Sequence, residues 1–64
     1  MGFKDLHTVH SSRFHVDIDY YTDDLSSYDD GHIKIAWGCS ADDGRGYYIT
    51  FADGVFDDSE TEVA

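Results

Sequence analysis

Four histidines, one cysteine and fourteen carboxylates are the side chains of this sequence best suited to chemistry. His7, His10 and His15 with Cys39 supply enough donors for a zinc ion. Their spacing matches no finger pattern, however, and no Cys-x-x-Cys pair anchors them. They read as surface or turn histidines. A calcium loop needs acidic or amide ligands at alternate positions, then Gly, then a distant Glu. Asp17, Asp19 and Tyr21 break that series at the third ligand, and Arg45 stands inside the loop "ADDGRG", where it repels a cation. The expectation is no metal and no other cofactor. Ser11, Ser12, His10 and Asp17 can be assembled into a nominal triad, but no nucleophile-elbow context supports it. Cys39 follows "AWG" and reads as a small buried apolar residue. The glycines of "GRG" lack phosphate-loop spacing, and their acidic neighbours repel a phosphate. The chain is not expected to be an enzyme.

The carboxylates remain. In "FHVDIDYYTDD", residues 14–24, Phe14, Val16, Ile18 and Tyr20 occupy every second position, as a half-buried strand requires. The alternate positions hold His15, Asp17, Asp19 and Tyr21. Asp is among the poorest strand formers, and two on one strand face have no evident folding motive. The other acids fall largely in doublets: Asp23 and Asp24, Asp29 and Asp30, Asp42 and Asp43, Asp57 and Asp58. Residues i and i+2 of a strand lie about 6.5–7 Å apart. Phosphates along one DNA strand, with an axial rise of about 3.4 Å plus rotation, have spacing of the same order. Short Asp side chains hold their charge close to the backbone. Asp17, Asp19, Asp23, Asp24, Asp29, Asp30, Asp42 and Asp43 are therefore the candidate partner-binding residues. Ordinary turn chemistry, which favours Asp for backbone reasons, is the plainer reading of the doublets.

Charge and size bound the partners. The formal net charge is −10, and twelve of the fourteen acids are Asp. Residues 1–13 carry a local +1 and residues 14–64 carry −11. Such an excess costs stability through self-repulsion and exceeds the magnitude of about 2–8 that keeps a small domain soluble. Direct binding to DNA, RNA or anionic lipid is excluded, and a basic nucleic-acid-binding protein or complex is the expected partner. With 64 residues the chain is one domain, too small for a deep enzymatic cleft. A single Cys and the lack of any long apolar run point to a cytoplasmic chain without a membrane segment.

The elements that must position the acids are mostly strands. Residues 13–21 predict the first, and 32–37, "HIKIAW", a second with Ile33, Ile35 and Trp37 on its apolar face. Residues 47–51, "YYITF", predict a third whose Tyr47, Ile49 and Phe51 face the core, and Val55-Phe56 a short fourth. Lys34, Tyr48 and Thr50 would share the other face with His15, Asp17 and Asp19. Thr22 to Asp24 suit one helical turn, with acids in its first positions. Residues 3–12 fit helix or strand equally. The expected fold is mainly β, a small antiparallel sheet of three to five strands with at most one short helix. The alternative is α+β, with an N-terminal helix on the sheet. Residues 1–57 form the domain, and residues 58–64 an acidic, frayed tail.

In length, Asp doublets, single Cys and absence of catalytic motifs, the chain resembles the small acidic phage proteins that disarm bacterial defence, including DNA-mimic inhibitors of the anti-CRISPR type. The resemblance lies in charge layout, with no shared motif, and many such proteins are helical where this chain reads as strands. It implies occupation of a DNA-binding groove on a defence protein such as a CRISPR effector complex, in the host bacterial cytoplasm, by a monomer or weak homodimer. The competing reading is a protein–protein adaptor in which Tyr20, Tyr21, Tyr28 and Tyr48 drive association and the acidity serves solubility.

Overall fold

A computed structural model describes residues 5–27 and 31–64. Among these residues six strands form one antiparallel sheet: β1 (Leu6–Ser11), β2 (Val16–Tyr21), β3 (Ser26–Ser27), β4 (Ile33–Cys39), β5 (Gly46–Ala52) and β6 (Val55–Val63). Their order is β1-β2-β4-β5-β6, with the short β3 also laid against β4. The architecture is mainly β as expected, with more strands than the sequence suggested. Among the described residues there is no α-helix, and a single 3-10 turn, Thr22–Asp24, stands in its place. The N-terminal alternative resolves toward strand: Leu6–Ser11 pairs with β2 along its whole length.

Turn chemistry sets the register. Ala52 pairs with Val55, which leaves Asp53 and Gly54 as a two-residue loop with φ of 52° and 81°. Those positive values are what a type I′ hairpin demands, and Asp-Gly is among its favoured pairs. Between β1 and β2 the chain turns through residues 12–15, closed by a bond from the His15 N–H to the Ser11 carbonyl at 2.7 Å. His15 there has φ 58°. It therefore belongs to the turn and not, as expected, to the strand face bearing Asp17 and Asp19.

The core gathers Val16, Ile18, Ala36, Tyr47, Ile49 and Phe51, with Val9, Phe14, Tyr20, Leu25 and Phe56 packed around them. β2 and β5 face inward as their alternation predicts. β4 is the reverse of the expectation. Ala36 pairs with Ile49 and Gly38 with Tyr47, so the small column of β4 lies inside. Ile33, Ile35 and Trp37 share the opposite face with Tyr48 and Thr50, and Lys34 lies on the core side, opposite Phe51. The reason is steric. A Cβ at Gly38 would stand 2.5 Å from Ile18 Cγ2 and 3.0 Å from the Asp19 carbonyl, so the sheet curls where β4 has no bulk to oppose β2.

The expected frayed tail is also corrected. Residues 58–63 continue β6, and Thr61 is fully buried. Arg13 holds this strand from the far end of the sheet: its Nη1 donates to the carbonyls of Ser59 (3.1 Å) and Thr61 (2.6 Å), and its backbone N–H donates to Asp58 Oδ2 at 3.0 Å. Those carbonyls come from a stretch where three extra β6 residues interrupt the ladder between its Asp57–Thr50 and Glu62–Tyr48 pairs.

Candidate functional site

The outward face of the sheet follows from the register. Thr8 stands opposite Asp19, and His10 opposite Asp17. Asp19 stands opposite Cys39, Trp37 opposite Tyr48, Ile35 opposite Thr50, and Tyr48 opposite Glu62. Cross-strand partners share a face. One face thus carries the Asp17–Asp19 row, an apolar band on β4 and β5, and the acids of β6.

Asp17 and Asp19 do have a folding role that periodicity alone did not reveal. Thr8 Oγ1 donates to Asp19 Oδ1 at 2.6 Å, and His10 Nδ1 lies 2.9 Å from Asp17 Oδ1. Both bonds run across the β1–β2 ladder, and both leave the carboxylates exposed or half-exposed. Asp23 and Asp24 are exposed in the 3-10 turn. Asp29 and Asp30 lie outside the described residues, as does Tyr28. Asp42 and Asp43 sit in the β4–β5 turn, away from the Asp17–Asp19 row in sequence but close to it in space, since Asp42 Oδ2 accepts the Asp17 N–H at 3.5 Å.

Asp43 is held most firmly. It accepts the Tyr47 hydroxyl and, at 3.0 Å, the Arg45 N–H. The Tyr47 bond, reinforced by the Arg45 N–H, draws the Asp43 carboxyl below its ordinary value. The same bond, with desolvation, raises the Tyr47 phenol above its own. The turn itself is closed by backbone donors on Ser40: the Asp42 N–H donates to Ser40 Oγ at 3.1 Å and the Gly44 N–H to the Ser40 carbonyl at 2.9 Å.

The sequence pattern missed the apolar half of this face. Trp37 is 46% exposed and Tyr48 49%, their rings meeting edge to face at 5.0 Å. A Cβ at Gly46 would land on the Trp37 ring, so the indole lies over that glycine and is braced from two sides. On one side of this aromatic pair Ile33, Ile35, Tyr48 and Thr50 floor a concavity of about 490 Å³ walled by Asp57, Glu60 and Glu62. On the other, Leu6, Tyr20, Tyr21, Trp37 and Cys39 line a shallower one of about 320 Å³ with Asp19 and Asp24. The available signal was the column Lys34, Ala36, Gly38, too small to fill a core by itself yet required where strands cross closely. Cys39 is exposed, contrary to expectation. Of the tyrosines expected on the surface, Tyr21 and Tyr48 are exposed, while Tyr20 is half-buried against Phe51 at 4.9 Å.

Among the described residues no three His, Cys, Asp or Glu side chains converge as metal ligands, and no helix is long and apolar enough to cross a membrane. No protein-family model, curated protein or solved structure matches the chain. The fold and site therefore define it by physical character: an antiparallel β domain with an acid-flanked aromatic face.

Proposed function

We propose that this chain is a non-catalytic binding protein that occupies the nucleic-acid-binding surface of a basic partner and so blocks it. The observation that supports this best is the way its carboxylates are held. Asp19 takes its bond from a Thr hydroxyl, Asp43 from a Tyr hydroxyl, and Asp57 from the Ser59 hydroxyl at 2.6 Å and N–H at 3.1 Å. Neutral donors fix a carboxylate in place without cancelling its charge, although Arg45 also attracts Asp43 and His10 bonds Asp17. Arg13 and Lys34, by contrast, make bonds to the Ser59 and Thr61 carbonyls and to the Ser27 hydroxyl. The result is negative charge held in place before binding, which lowers the ordering cost of binding Lys and Arg. The small acidic phage inhibitors that the chain resembles give this reading its finer form: a competitor of DNA on a defence protein such as a CRISPR effector complex, acting in the bacterial cytoplasm.

A second reading, a protein–protein adaptor, is favoured by the exposure of Trp37 and Tyr48. Affinity capture from a bacterial lysate followed by competition with duplex DNA separates the two. Release of a basic protein by DNA, with affinity falling steeply as salt rises, supports the inhibitor. Retention of the partner under excess DNA, with little response to salt, supports the adaptor.

A further inference from the structure

We infer that the outward sheet face docks a basic amphipathic helix of the partner, its apolar stripe on Ile33, Ile35, Trp37 and Tyr48 and its Lys or Arg side chains on the flanking acids. This deepens the proposed function and rests on its premise that the partner is a basic protein. Among the described residues the band is open to solvent at Trp37 and Tyr48, and Trp37 is braced by Gly46 and Tyr48, so the anchor is ordered before anything binds. Carboxylates stand on both sides of it: Glu60, Glu62 and Asp57 around the larger concavity, Asp19 and Asp24 around the smaller.

The width of the face selects the occupant. Asp19 on β2 and Glu62 on β6 belong to strands separated by three inter-strand steps, about 14 Å at the usual strand spacing. A helix with its side chains is about 10–12 Å across and fits between the two acidic flanks with its cationic side chains reaching both. A lone extended segment is about one strand spacing wide and meets one flank at a time. A second copy of this chain is disfavoured by charge: it would set Glu60, Glu62 and Asp57 against acids of the same sign in a protein of net charge −10.

Trp37 is the one tryptophan in the sequence and stands at the centre of this face, so its emission reports occupancy directly. The test titrates the intact chain with three synthetic peptides of equal charge. One is a Leu/Lys peptide with leucines at helical spacing, one has the same composition in strict alternation, and one is oligolysine. The expected result is a blue shift of Trp37 with the helical peptide, and binding about tenfold tighter than to either of the others. That preference should disappear in Tyr48→Ala, or in Ile35→Ser as a second variant, each first shown by circular dichroism to be folded. Glu60→Gln with Glu62→Gln should weaken the helical peptide without abolishing the Trp37 shift. Equal binding of all three peptides with unchanged Trp37 emission would overturn the inference while leaving charge-based partner binding intact. No binding of any peptide at low salt would overturn both. Concentration-dependent dimerisation lost in Trp37→Ala would assign the face to a second copy and overturn it as well.

Discussion

Asp19 shows how one side chain can serve both fold and surface. It accepts the Thr8 hydroxyl across the ladder yet keeps its charge toward solvent. Asn preserves an acceptor at that position, so Asp17→Asn with Asp19→Asn should leave unfolding free energy within about 0.5 kcal/mol of the parent. Partner affinity should fall by about 1.5–3 kcal/mol for each carboxylate that bonds a Lys or Arg. Thr61 is the opposite case. It is fully buried and its Oγ1 has no hydrogen-bond partner among the described residues. Thr61→Val should raise stability by about 1 kcal/mol, the scale of an unsatisfied buried hydroxyl, measured by thermal denaturation; a loss of that size would mean the hydroxyl is bonded in solution. The Asp43–Tyr47 pair predicts a pH signature. Asp43 is lowered from 3.8 and Tyr47 raised from 10.0, so their bond contributes fully between those values. Its contribution is lost as pH falls through the depressed Asp43 value, and again as pH rises through the elevated Tyr47 value. The stability difference between parent and Tyr47→Phe should be flat across neutral pH and shrink at both extremes. A difference that stays constant to either extreme would exclude the pair as its source.

Among the elements, β4 decides where the sheet bends and which residues the surface receives. Its two columns are unequal, Ile33, Ile35 and Trp37 against Lys34, Ala36 and Gly38, and hydrophobicity alone turns the larger inward. Close crossing by β2 turns it outward, because Gly38 leaves room for Ile18 and a larger residue does not. Gly38→Ala should therefore cost about 1–3 kcal/mol by overpacking, read from denaturant midpoints. Gly46→Ala acts on the outward face, pushing the Trp37 ring off its seat, and should shift tryptophan emission. Unchanged emission would show that the ring is not held there. The other strands were more legible. β2 and β5 alternate cleanly, and Asp53-Gly54 marks its hairpin in the sequence. The acidic run of β6 was not legible as strand, because where its pairing with β5 is interrupted it is held by Arg13, forty-six and forty-eight residues away from the carbonyls it binds. Long-range backbone satisfaction of this kind leaves no local period.

The whole molecule is a thin body, 31 × 29 × 18 Å, in which a single curled sheet supplies both the core and the proposed binding face. At this size almost every carboxylate is near the surface, so net charge and charge placement are easily confused. The sequence made the acid excess and the Asp17–Asp19 row plain; it could not show that the row borders an apolar band, since that depends on the inversion of β4. Two variants separate placement from total charge. Asp17→Asn with Asp19→Asn removes two charges from the face, and Asp5→Asn with Asp53→Asn removes two from exposed positions outside both concavities. The Asp53 change keeps an Asx-Gly turn that Asn also favours. Their affinities for the captured basic partner, measured side by side at one salt concentration, test the central claim directly. The face pair should lose about tenfold or more and the distant pair far less. Equal losses would mean that the partner senses net charge alone, and that the arrangement of carboxylates on this sheet is not what it reads.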